Sequence, residues 1–212
     1  MTAGPLEYLS TWRQRAELLL VMAAIYVFDT LVSDILMGSG VLPDWGIQVV
    51  GAFERGGGWA MIALAAACFV IAGGGFRNII IPLIAVYLSC AFIHLVVNIA
   101  GIFLTAEMHR GQPLTELWDV AVVYFMGVFI FTVWYWFLDK ITPGGAFVFP
   151  HELGGKSNRT MIDYLFISFN ASSTFGPTTE TPTTCGAKVL MMLQVCSSLL
   201  ILMVLLSRAI GG

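Results

Sequence analysis

Seven consecutive residues, Thr174, Phe175, Gly176, Pro177, Thr178, Thr179 and Glu180, carry the most distinctive chemistry in this chain of 212 residues. Threonine hydroxyls, a carboxylate and backbone carbonyls are hard oxygen donors, able to replace the water around a small cation. From 174 to 184 the chain has six threonines, two prolines and one glycine, and no helical periodicity. A polar loop of this kind between membrane spans is tolerated only where its backbone is buried in protein or lines water. Its placement between two long apolar segments points to a pore.

Thr160 and Asp163 have the S/T-x-x-D/E spacing that caps a helix start, and an apolar stretch too short to cross a bilayer comes next. The spacing predicts a short helix over 161–172, a loop over 174–180 and a long helix over 187–209. This helix–loop–helix unit carries a dipole end and hydroxyls suited to cations: the short helix would aim its negative end at the loop. Asn170, Ser172, Ser173 and Thr174 would hold the loop by side-chain hydrogen bonds.

The composition places the chain in the membrane class. Mean hydropathy is +0.86, 58% of residues are hydrophobic and 11% are charged, about half the charged fraction of a soluble domain. An all-α membrane protein of five to six spans is expected, with candidates at 17–37, 59–74, 79–105, 117–138 and 187–209. Residues 1–115 form an N-terminal group of transmembrane helices, and residues 116–212 a second unit. The net charge of −3 and the lack of a basic run exclude nucleic-acid binding as an expectation. Cys68, Cys90, Cys185 and Cys196 lack metal-site spacing and read as small buried residues. Neither HExxH nor GxSxG occurs, so no enzyme is expected. The stretch 139–159 reads as an exposed Gly- and Pro-rich loop, and Trp134, Tyr135, Trp136 and Phe137 as an interfacial aromatic anchor.

Residues 117–212 resemble the pore domain of tetrameric potassium-channel-like cation channels. Asp163 falls at the acid of the pore helix, and Leu165, Ser168 and Phe169 at its apolar and small positions. The run Thr174 to Thr178 falls on the T-x-G-x-G filter. Pro182, Thr184 and Lys188 match the family's residues beyond the filter, and Ser198 lands at a hinge-glycine position. The resemblance implies an outer helix at 117–138, a re-entrant pore helix at 161–172, a filter at 174–180 and an inner helix at 187–209. It further implies a homotetramer in a lipid bilayer, a bacterial-type plasma membrane as its location, and a permeant ion such as K+ or Na+ with no other cofactor or metal. The sequence departs from the pattern at two places. Thr178 stands where the second filter glycine belongs, and a β-branched residue at positive φ costs about 1–2 kcal/mol or more. Pro177 replaces the aromatic and removes an N–H donor. One or two carbonyl sites and weak or altered cation selectivity are expected. In a tetramer Glu180 would complete a ring of four acids, as in bacterial sodium and calcium channels, which the segment faintly resembles; the alternative is an exposed loop acid.

On the last span Gln194 and Ser198 are an i, i+4 pair which, with Ser197, is assigned to a water-filled cavity, with helix–helix hydrogen bonding the alternative for the two serines. Asp29 and Asp34 in the first span, and His94 and Asn98 in the third, form an intramembrane polar cluster of costly groups that need partners. A pairing of His94 with Asp29 or Asp34 would join helices; a pH- or ion-sensing site is the sharper alternative. Two other functions compete with a channel: a small proton-coupled secondary transporter using these groups, and a non-conducting protein of channel fold. Repeated arginines are missing from every span, so steep voltage gating is not expected. With five spans, an outward loop conflicts with the positive-inside rule, and an extra crossing near 47–53 would restore an even count.

Overall fold

The computed structural model describes residues 12–38, 44–73, 77–106, 113–149, 159–173 and 180–211. Six helices dominate: α1 (Trp12–Gly38), α2 (Asp44–Gly73), α3 (Arg77–Ala106), α4 (Pro113–Ile141), α5 (Met161–Ser173) and α6 (Cys185–Gly211). Two short strands, β1 (Phe147–Val148) and β2 (Thr181–Pro182), pair antiparallel, with Phe147 opposite Pro182 and Val148 opposite Thr181.

Among the described residues four helices are long and apolar enough to cross a membrane: Trp12–Ile35, Ile79–Phe103, Trp118–Ile141 and Cys185–Leu206. They mark the chain as a membrane protein. The second candidate span, 59–74, lies in α2, a helix of 30 residues in which an apolar stretch over Gly56–Ala67 follows Glu54 and Arg55. Residues 47–53 belong to this same continuous helix, so they supply no separate crossing. Pro82 lies inside α3, which begins at Arg77; a proline there withholds one helical N–H.

The core centres on α4, which packs against α1, α3, α5 and α6. Met126, Ile130, Phe131, Val133, Tyr135 and Trp136 are all buried along it. Phe28 of α1 stacks on Phe129 at 5.6 Å, and Phe92 of α3 meets Phe131 edge-on at 6.1 Å. Such ring pairs add about 0.5–1.5 kcal/mol each beyond the area they bury. The contrast with α6 is marked: 72% of the α4 span is buried in the protomer, but only 22% of the α6 span.

Candidate functional site

α5 is positioned from its first residue. Thr160 donates its backbone N–H (2.7 Å) and its hydroxyl (3.0 Å) to the Asp163 carboxylate, and the Asp163 N–H returns to the Thr160 carbonyl at 3.2 Å. The cap read from the spacing is therefore built, and an acid sits in the positive first turn. Thirteen residues give a helix of roughly 20 Å, well short of a hydrocarbon layer of about 30 Å.

The end of α4 and the start of α5 meet at Asp139, whose carboxylate is buried. It accepts from Arg159 Nη1 (2.5 Å), Tyr164 Oη (2.7 Å), and the backbone N–H groups of Ala146 (2.7 Å) and Phe147 (3.1 Å). Arg159 also lies over the Phe149 ring, 4.9 Å from its centre. Gly145 makes this approach possible. Its φ is +87°, and a Cβ there would fall 2.7 Å from Arg159 Nη1 and 3.0 Å from Asp139 Oδ1. Burial, reinforced by the neighbouring Asp139 carboxylate, holds the Tyr164 phenol well above its ordinary pKa, so it stays a donor. The expected exposed loop is thus, over its described part, a folded corner: Gly145, Ala146, Phe147 and Phe149 are buried, and the cause is this carboxylate gathering backbone donors.

From that corner α5 runs back alongside α4. Ser168 Oγ donates to the Val128 carbonyl at 2.7 Å, eleven residues before Asp139 and so about 16 Å further along α4. The last turn of α5 is held by Gln194 of α6. Its Nε2 reaches the Ser168 carbonyl (2.8 Å), Ser168 Oγ (2.8 Å) and Ser172 Oγ (2.6 Å), while its Oε1 accepts from Tyr135 Oη of α4. Gln194 comes nine residues after Cys185, roughly 14 Å into α6. By Thr181 the chain is again beside β1, at the end where α5 began, and Thr183 N–H donates to the Ala146 carbonyl at 2.9 Å. Thr184 then caps α6, its Oγ1 accepting from Ala187 N–H at 3.2 Å.

Thr174, Phe175, Gly176, Pro177, Thr178 and Thr179 lie outside the described residues. Glu180 lies inside them and is buried, at 9% exposure. In the single protomer Glu180 is thus not an exposed loop acid. Gln194 and Ser198 are buried, against the expected cavity, because the amide is consumed by hydrogen bonds within the protomer; Ser197 is partly exposed and donates to the Leu193 carbonyl at 2.9 Å. The aromatic run is not an interfacial belt either. Tyr135, Trp136 and Phe137 are buried, and Tyr135 packs edge-on to Phe147 at 5.3 Å.

In the N-terminal half, His94 Nδ1 lies 2.7 Å from Asp29 Oδ2, and Asn98 Nδ2 donates to Asp29 Oδ1 at 2.9 Å. Asn98 Nδ2 also lies 3.6 Å from Met126 Sδ of α4. All three polar residues are buried; Asp34 is exposed and stands apart from them. Gly57 of α2 has its reason here: a Cβ on it would fall 2.2 Å from His94 Nε2. Glycine inside a helix costs about 1 kcal/mol against alanine, and the notch it leaves admits the imidazole.

Sequence reasoning did not assign Tyr135, Asp139, Arg159 or Tyr164 to the site. For Asp139 and Arg159 the signal was available: two opposite charges flanking a Gly–Pro-rich stretch that must turn the chain back. Tyr135 carried none, since an aromatic run at a helix end reads first as an anchor. No family model, curated protein or solved structure matches this chain.

Proposed function

We propose that this chain is the protomer of a homotetrameric cation channel, with α4 as outer helix, α5 as a re-entrant pore helix, residues 174–179 as the ion-conducting loop and α6 as inner helix. The observation that carries the reading is the fold-back of α5. A helix too short to span leaves the Asp139 corner, ends beside Gln194 roughly 14 Å into α6, and hands over to a polar segment whose far end is again paired at that corner. Seven Cα–Cα steps separate Ser173 from Glu180 and reach at most about 25 Å, ample for the return. Polar backbone at membrane depth needs protein or water around it, and copies of the chain around an axis would supply both.

The oligomer draws support from α6. Its exposed face runs through Val189, Met192, Leu193, Cys196, Leu199 and Met203, and its span is the least buried of the four. Four copies around an axis would enclose an ion path between their loops. The C-terminal end of α5 adds a partial negative charge per copy at the inner end of the loop, which favours cations. Pro177 and Thr178 in place of the aromatic and second glycine argue for modest discrimination between K+ and Na+.

The decisive measurement is mass in detergent combined with single-channel recording in reconstituted bilayers under a K+/Na+ gradient. A tetramer carrying cation current, with reversal between the two Nernst potentials, is the expected result. A monomer removes the pore. A silent tetramer leaves a channel-fold protein that does not conduct, and strong K+ selectivity overturns the inference drawn from Pro177 and Thr178.

A further inference from the structure

We propose that Asp29, His94 and Asn98 form a proton-binding site inside the membrane, with His94 Nε2 as the atom that gains and gives up the proton. The site involves only α1 to α4 and stands whether or not the chain conducts ions.

The cluster lies deep in its span. His94 comes fifteen residues after Ile79 and nine before Phe103, roughly 22 Å and 14 Å along α3. Ionisable groups at such depth are expensive, and they mark proton or ion sites unless they serve packing alone. The geometry assigns each atom a part. Nδ1 stands 2.7 Å from Asp29 Oδ2, a distance that requires a proton between them. Asn98 Nδ2 donates to the other carboxylate oxygen at 2.9 Å. Both carboxylate oxygens thus have a donor, and the proton between Nδ1 and Oδ2 is kept in every state of the pair. The change is left to Nε2. When Nε2 carries a proton, carboxylate and imidazole together are neutral. When the Nε2–H bond breaks, its electron pair stays on the ring, the proton passes to water, and the pair keeps one negative charge.

The neighbours suit both states. Nε2 faces Gly57 of α2, where a Cβ would stand 2.2 Å away, so glycine leaves the ring edge room with or without its proton. Glu54 and Arg55 precede Gly57 by three and two positions, which ends the charged section of α2 within about 5 Å of the notch along the helix. Charged residues in a span keep water or a partner beside them, and such water is the proton's route. Tyr26 of α1 stands beside the next glycine, its ring 3.5 Å and its hydroxyl 4.0 Å from a Cβ on Gly58. From α4 comes the Met126 thioether, 3.6 Å from Asn98 Nδ2. Asp34 of α1 is exposed and apart. Protonation of Nε2 therefore sets the charge at the point where four helices converge.

The test follows the imidazole by nitrogen-15 NMR of the whole chain in detergent, labelled at the histidine rings. The chain has three histidines, so an H109Q/H151Q background leaves His94 alone in the spectrum. Expected is an Nδ1 that stays protonated wherever the protein is folded, while Nε2 passes between protonated and bare within that pH range. D29N removes the carboxylate and weakens proton binding at Nε2 at least about tenfold, the effect of an opposite charge a few ångströms away. D34N leaves the titration unchanged. An Nε2 that keeps one state from end to end overturns the proposal, because the pair is then only a joint between helices. A neutral ring with its proton on Nε2 instead of Nδ1 overturns it too, as do equal effects from D29N and D34N. Should D29N fail to fold, the two readings of the H109Q/H151Q protein alone still decide.

Discussion

In the N-terminal half, Asp29, His94 and Asn98 meet where α1, α2, α3 and α4 converge, and their bonds run from side chain to side chain. In the C-terminal half, Asp139 and Gln194 also reach backbone: Ala146 N–H, Phe147 N–H and the Ser168 carbonyl, beside the side chains of Arg159, Tyr164, Tyr135, Ser168 and Ser172. The first cluster fastens helices that would exist without it. The second makes irregular chain tolerable beside apolar helices, where an unpaired N–H or C=O has no water to turn to. Polar residues buried in one membrane protein can therefore have opposite claims on function, and what they bond to distinguishes them.

That contrast can be broken at Asp139 first. D139A leaves a buried guanidinium, a phenol and two N–H groups without their acceptor, and a cost on the order of 3–5 kcal/mol is expected. Chemical unfolding in detergent measures it; a loss below about 1 kcal/mol, the worth of an ordinary hydrogen bond, would mean the corner does not depend on its carboxylate. Next in size is G57A. Its methyl occupies the place of the His94 ring, so either α2 or the imidazole must shift, at about 1–3 kcal/mol. Hydrogen exchange should rise in α1 and α3 and stay unchanged in α5, and a rise in α5 would deny that the halves are separate. T160A sharpens the comparison within the second half: losing the hydroxyl that donates to the Asp163 carboxylate costs about 1 kcal/mol, with faster exchange confined to the first turn of α5. Smallest is D34N, expected within about 0.5 kcal/mol of wild type, against a larger loss for D29N. Equal effects from the two would undo the assignment of Asp29 as the partner of His94.

Length and hydropathy were legible because they are local. Four spans, the short helix, its Thr160–Asp163 cap and the polar loop after it all depend on residues close in sequence. The pairing of Asp29 with His94 was only half readable: intramembrane charges need partners, but two acids were available, and the rotational setting of α1 against α3 chose between them. Gln194 was misassigned to water for the same reason. A lone polar side chain on an apolar helix faces either solvent or a partner, and its partners Tyr135, Ser168 and Ser172 are 22 to 59 residues away.

The sequence by itself determined that this chain enters a membrane, that a helix too short to cross lies between α4 and α6, and that a threonine-rich segment comes after it. Those are consequences of apolar run length, capping and backbone chemistry, which act over a few residues. Only the tertiary structure decided that Asp139 and Arg159 close a corner, that Glu180 is buried, and that Gln194 belongs to the protein interior. Each of those depends on which helix faces meet, and packing across long separations, rather than local preference, sets that.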